Sequence, residues 1–328
     1  MVMKNIIDYA FNKPPNPESY GKKKKYRIGK ILGSGTYGSV KEAVNIDTGE
    51  KVAIKIIKKR KVKNQESIVY KEMKILEKLD HPNIVKFYEW FESRKRYYLV
   101  FELYPFWLIL NVELLNRLIE LGKFTESNAA QVIKTVLESV KYLHEHKVVH
   151  RDLKPENLLY KNKLKDSPLV IADFGISKVI DDNDDIMTTH CGSYIYAAPE
   201  IHRRVPYSRS VDIWSIGLSG HLPYRSRNRD YLHEEIKRGI IEFEDVHWKN
   251  VSDKARNFVS SLLTLDSTKR PTAEDALKHE WLTGDCATDV DLFEIFNPRQ
   301  TFRKAVVAIQ AVNKLQNSIR SDKDPNFA

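Results

Sequence analysis

The chain reads as an α+β protein of two lobes, the first small and rich in strands, the second larger and helical. Three observations carry that reading. Between Tyr26 and Glu102 the apolar residues fall in short β-rich runs: "YRIGKIL", "GSVKEAVN", "KVAIKII", "IVKFYEWF" and "YYLVFEL". One helical stretch, "QESIVYKEMKILEKL", interrupts them. Beyond residue 103 the period becomes helical, as in "ESNAAQVIKTVLESVKYLHEH" and "SDKARNFVSSLLTL". Finally, 328 residues with 42% hydrophobic and 30% charged side chains can bury a large core in one two-lobed domain with tails.

Residues 1–25 are polar, with Pro14, Pro15 and Pro17 close together, and read as a flexible tail. The small lobe is expected over 26–102 and the large lobe over 103–282. The remaining segment, 283–328, carries a separate amphipathic helix starting near Arg299. One stretch breaks the helical pattern of the large lobe. "SVDIWSIGLSGHLPYRS" opens with Val211, Ile213, Trp214 and Ile216, spaced as in a helix buried on nearly all sides. Gly217, Gly220 and Pro223 then discourage its continuation.

Composition excludes several classes. No apolar run approaches the eighteen or so residues of a membrane span, and the N-terminus lacks the layout of a signal peptide. No membrane partner is expected. Two cysteines, Cys191 and Cys286, suggest a reducing compartment. The expected location is the cytoplasm, with the nucleus open as a second one. The net charge of +10 comes in patches such as "KKKK" and "KIIKKRKVK" without a nucleic-acid-binding motif, so no nucleic-acid partner is expected.

The chemistry lies in five motifs. "GSGTYGSV", Gly33 to Val40, joins two strand-like runs, and glycines at 33, 35 and 38 allow a hairpin to lie close over phosphates. Because a strand follows it, it is not a dinucleotide fingerprint. "VAIK" places Lys55 on an alternating strand, and Glu72 lies in the helical stretch that could pair with it. "HRDLKPEN", His150 to Asn157, then precedes "DFG", Asp173 to Gly175, and "APE", Ala198 to Glu200.

In this order the motifs resemble those of the eukaryotic protein kinases over residues 26–282, and "DLKPEN" resembles the serine/threonine form of the catalytic loop. The resemblance implies the bilobal kinase fold and transfer of the ATP γ-phosphate to protein substrates, with Mg²⁺ as the metal. It assigns Asp152 to the substrate hydroxyl proton and Lys154 to the transferring phosphate, and Asn157 and Asp173 to Mg²⁺. Nucleotide contacts fall to Gly33, Ser34, Gly35, Thr36, Tyr37, Gly38, Val40, Ala53, Lys55, Glu72, Glu102, Tyr104 and Leu159. Arg151 before the base implies control by phosphorylation between "DFG" and "APE". Thr189, two residues before "CGS", is the favoured site over Thr188, and an upstream activating kinase follows as a partner.

"HPNIVKFYEWFES", "KFTE", "IADFGISK" and "RPTAEDALKHEWL" resemble the calcium/calmodulin-dependent kinase group, type I-like and fungal in character. The C-terminal helix agrees. Its bulky apolar residues are Phe302, Val306, Ile309 and Leu315; Phe302 and Leu315, thirteen residues apart, point about 140° from each other. A two-lobed clamp such as calcium-loaded calmodulin could grip both, aided by Arg299, Arg303, Lys304 and Lys314. A helix docked permanently on the large lobe is the other reading. "DDNDDIMTTHCG" begins like a calcium loop but has Ile186 for the required glycine and Gly192 for the required glutamate.

Two stretches depart from the kinase pattern. "YPFWLILNV" lengthens the segment after the hinge and displaces Glu113, which the resemblance would place at the ribose or a substrate arginine. After Gly217 the central helix lacks the apolar second half that supports the catalytic loop in the family. The resulting expectation is lowered stability. It leaves a rival reading: a catalytically weak, kinase-like scaffold that binds calmodulin without turnover.

Overall fold

A computed structural model describes residues 17–34, 38–62, 66–104, 125–162, 164, 167–173, 178–179, 196–218, 229–238, 243, 248 and 251–284. The expected small lobe is a five-stranded antiparallel sheet. Its strands are β1 (Tyr26–Ser34), β2 (Gly38–Asn45), β3 (Lys51–Lys58), β4 (Phe87–Ser93) and β5 (Arg96–Glu102), in the order β1-β2-β3-β5-β4. The alternation of β3 sorts the core. Val52, Ile54 and Ile56 point to one face, with Phe91, Tyr98 and Val100; Ala53 and Ile57 point to the other, with Leu99 and Phe101.

Helix α1 (Pro17–Lys24) occupies the end of the segment read as a flexible tail, residues 1–16 of which lie outside the described set. Contacts with the sheet explain the order. Lys22 pairs with Glu89 at 3.3 Å, and the Lys23 ammonium lies 5.4 Å from the centre of the Tyr98 ring. Tyr26 donates to the same Glu89 at 2.7 Å and stacks on Phe91, which stacks in turn on Tyr98. Local composition predicted a loose chain; the partners are distant in sequence. The stretch after β3 forms a 3₁₀ turn (Lys59–Lys61), then helix α2 (Glu66–Leu76) buries Val69, Met73 and Leu76 against the sheet-side core.

The large lobe is built around α3 (Glu126–Glu145). Its N-terminus has a reciprocal cap, the Thr125 hydroxyl accepting from the Asn128 amide and the Asn128 side chain accepting from the Thr125 amide. Val136, Leu137, Val140 and Leu143 form its buried stripe. Short strands β6 (Val148–Val149), β7 (Leu158–Tyr160), β8 (Leu169–Ile171) and β9 (Lys178–Val179) follow, paired β6–β9 and β7–β8. They carry the catalytic-loop sequence between them. Helices α4 (Pro199–Arg203), α5 (Ser210–Leu218), α6 (Arg229–Arg238), α7 (Asp253–Leu262), α8 (Ala273–Leu277) and α9 (Glu280–Thr283) complete the described lobe. None of the helices among the described residues is long and apolar enough to cross a membrane.

Helix α5 is the interrupted stretch of the sequence, and all nine of its residues are buried. Gly217 is its last residue but one among the described residues. A Cβ there would meet Leu263 Cδ2 at 2.7 Å and Leu262 Cβ at 3.1 Å, so the glycine serves the close approach of α5 to the end of α7. Residues 219–228 lie outside the described set. The buried Glu200 of "APE" is held by Arg270, with Nη1 2.8 Å from Oε1, and the same guanidinium lies over the Trp214 ring of α5.

Candidate active site

The catalytic loop runs from β6 to β7 and gathers three of the predicted residues on one short turn. The Lys154 ammonium donates to Asp152 Oδ2 at 2.8 Å. Asn157, at the end of a 3₁₀ turn opened by Pro155, donates its amide to the Asp152 carbonyl at 2.7 Å and lies 3.4 Å from Oδ2. With its nitrogen committed, Asn157 presents its amide oxygen as a hard donor suited to Mg²⁺. Asp173 comes from the end of β8. The Lys55 ammonium reaches it from β3 with a 2.7 Å ion pair, and that charge holds the Asp173 carboxyl below its usual range. The donor set fits a hard divalent cation.

Two buried groups position this constellation, and the sequence reading assigned a role to neither. His150 accepts from the Asp152 amide at Nδ1 (3.3 Å) and faces the Ala172 carbonyl with Nε2 (3.2 Å). Burial pushes its pKa down, against the opposing pull of nearby carboxylates, which keeps the ring neutral and lets one nitrogen donate while the other accepts. It thereby ties the loop of the base to the segment of Asp173, as does the Ala172 amide donating to the Asn157 carbonyl at 2.8 Å.

The second group is Asp212 of α5, fully buried. Its carboxylate accepts from the backbone amides of His150 (2.9 Å) and Arg151 (2.8 Å) and lies 2.8 Å from His144 Nε2. Burial alone would raise its pKa. The His144 hydrogen bond and charge, with the loop amides, outweigh that and hold it below the carboxylate range. These bonds hold Arg151 in a left-handed conformation (φ 66°); Asp173 is left-handed too (φ 61°). The first turn of α5 thus holds the catalytic loop, while the stretch in which the apolar second half was expected to be missing lies outside the described residues.

The nucleotide-side residues follow the sheet. Val40 and Lys55 sit directly opposite each other on β2 and β3, and Val40, Ala53 and Leu159 of β7 all join the same apolar cluster. Gly33 ends near the tip of β1, paired with Val40. Gly38 opens β2 where a Cβ would overlap the Ile56 carbonyl oxygen, so only glycine fits. Glu102 closes β5 and accepts from the hydroxyl of the buried Tyr104 at 2.8 Å. Tyr104 is thus turned into the protein. Gly35, Thr36, Tyr37, Glu113, Thr189, Phe302, Val306, Ile309 and Leu315 lie outside the described residues, as do the side chains of Ser34 and Glu72. Arg151 has its guanidinium 3.3 Å from the Tyr207 hydroxyl.

The protein kinase domain profile matches residues 26–282. The chain belongs to the protein kinase family. It is 45% identical to the calcium/calmodulin-dependent protein kinase cmkA of Emericella nidulans, over 96% of this chain and 77% of that protein. Identity is 43% to the calcium/calmodulin-dependent protein kinase of Metarhizium anisopliae (94% and 82% covered). It is 40% to the type I enzyme of Schizosaccharomyces pombe (89% and 91% covered). As a member of this family the chain is an ATP-dependent serine/threonine protein kinase, and the scaffold reading is not favoured.

Proposed function

We propose that this kinase transfers the ATP γ-phosphate to serine or threonine of protein substrates under control of calcium-loaded calmodulin. The juxtaposition of Asp152, Lys154 and Asn157, faced by the Lys55–Asp173 pair, carries the catalytic part of the reading. Asp152 orients the substrate hydroxyl and takes its proton, while Lys154 offsets charge on the transferring phosphoryl group. Lys55 holds the α- and β-phosphates. Asn157 and Asp173 would hold Mg²⁺, which when bound would neutralise phosphate charge.

The calmodulin part rests on the tail's basic, apolar pattern and on the names of the relatives. In the free chain the tail obstructs the cleft, and calmodulin withdraws it, shifting a two-state equilibrium. Phosphorylation of Thr189 by an upstream kinase would give Arg151 an anionic partner and order the loop. The working location is the cytoplasm. A peptide of residues 299–320 should bind calmodulin only with calcium, and truncation before Asn297 should make activity independent of calmodulin. Calorimetry on the peptide and assays of the truncated chain check both; no calcium-dependent heat would favour the permanently docked helix.

Substrate preference follows from Glu156. Its Oε2 is buried without a hydrogen-bond partner, and burial pushes its carboxyl pKa up, against the lowering effect of a backbone hydrogen bond and of Lys154. A cationic substrate side chain would satisfy it, so basic residues upstream of the acceptor should be preferred. As pH falls toward the raised pKa, Glu156 protonates and the KM for a basic peptide should rise. Glu156→Gln should abolish that pH dependence while raising KM at neutral pH by about tenfold. A peptide array with a proline-directed or acidic preference would contradict this.

A further inference from the structure

At the end of the small-lobe sheet farthest from Glu102, two turns bring positive charge together. Strand β3 runs into its 3₁₀ turn as "KKRK", residues 58–61, and the hairpin joining β4 to β5 supplies "RKR", residues 94–96. The Lys59 amide donates to the Lys95 carbonyl at 3.0 Å, so the two turns lie side by side. Lys58, Arg60, Lys61, Arg94, Lys95 and Arg96 are exposed.

The carboxylates of β4 do not neutralise this cluster. Glu92 is taken by Lys59 at 2.6 Å and by the Tyr70 hydroxyl at 2.9 Å, and Glu89 by Lys22 and Tyr26. Among the described residues no carboxylate pairs with Lys58, Arg60, Arg94, Lys95 or Arg96. Lys58 and Arg96 are also direct cross-strand partners, on the sheet face of Ile56 and Tyr98. Like charges placed opposite each other on a sheet destabilise it. Lys23 of α1, over the Tyr98 ring, adds a further charge to that face.

The complement of such a patch is an anionic partner. Neither turn carries an exposed large apolar side chain, and Tyr97 and Tyr98 are buried, so nothing here inserts into a lipid layer or stacks on a base. The guanidinium groups of residues 60, 94 and 96 suit carboxylates held by two hydrogen bonds. By strand alternation Lys58 points to the opposite sheet face from Lys55, so a ligand on this patch leaves the nucleotide side clear.

We propose that this corner of the small lobe docks an acidic polypeptide segment of the substrate, remote from the residue that is phosphorylated. The inference rests on the kinase reading above, with Glu156 favouring basic residues at the acceptor. The preferred substrate is then bipolar, basic at the acceptor and acidic some distance away. A basic serine peptide can be joined to a tail of Glu or of Gln through a Gly/Ser linker of about twenty residues, with an r.m.s. span of about 25 Å. With calcium-loaded calmodulin, the Glu-tailed peptide should have a KM about fivefold to tenfold lower, and the advantage should vanish at about 0.5 M salt. Arg60→Glu, Arg94→Glu and Arg96→Glu combined should abolish the difference while leaving KM for the Gln-tailed peptide and for ATP unchanged. Arg96→Glu turns the like-charge pair with Lys58 into an opposite-charge pair, so the variant should melt no lower than the wild type. Equal KM values for the two tails, or an advantage that survives in the variant, would overturn the proposal. So would capture on phosphatidylserine vesicles or duplex DNA, lost in the variant, without any Glu-tail advantage. Anisotropy of a labelled Glu-tail peptide lacking serine reads the patch without turnover. A wild type that binds this peptide but phosphorylates nothing would overturn the function and leave the docking surface standing.

Discussion

Asp152→Asn should lower kcat by about 10²–10⁴-fold while leaving Mg·ATP affinity nearly unchanged. The amide is close in shape and can still accept from Lys154, whose ammonium lies 2.8 Å from the native carboxylate. It cannot accept the substrate proton. The residues assigned to the nucleotide, Lys55 and Asp173, pair with each other across the cleft and do not depend on Asp152. Asp173→Asn should therefore differ, weakening Mg·ATP binding as well as turnover. Steady-state kinetics beside calorimetry distinguish the two variants, and wild-type turnover in Asp152→Asn would show the base to be misassigned.

Asp212→Ala should be the most destabilising single change in the catalytic core. It leaves the amides of His150 and Arg151 and the ring of His144 without their buried acceptor. Losing one member of such a buried charged network costs about 3–5 kcal/mol, against a typical domain margin of about 5–15 kcal/mol. The melting midpoint should fall by roughly 10 °C in a chain of this size. Activity should fall further than stability explains, since the left-handed Arg151 loses the bond that holds it beside Asp152. The pH dependence has a definite sign. Asp212 has a lowered folded pKa, so its stabilisation is present above the unfolded carboxylate range and is lost as pH falls through the folded value. Thermal melts over acidic pH should show a steeper loss in the wild type than in Asp212→Ala.

Much of this site was legible because its residues lie in compact motifs. "HRDLKPEN" puts Asp152, Lys154 and Asn157 within one turn, and the structure brings them into contact. The β-rich run before residue 103 became the five-stranded sheet because its alternation matches two buried faces. What escaped the sequence were contacts over long separations. Asp212 lies in the quoted stretch "SVDIWSIGL", but its grip on a loop sixty residues earlier has no local signature. Gly217 marks the end of the apolar helical pattern, but its close approach to Leu262 and Leu263 has no signature in the local sequence. The Pro17–Lys24 helix was hidden for the same reason, its stabilising partners being Glu89 and Tyr98.

The most direct test of the account is phosphate transfer from ATP to a basic serine peptide, with Mg²⁺, in the presence and absence of calcium-loaded calmodulin. The expected result is transfer to the serine hydroxyl that calmodulin stimulates and Asp152→Asn removes. A folded chain that binds Mg·ATP and calmodulin but leaves the peptide unmodified would contradict it.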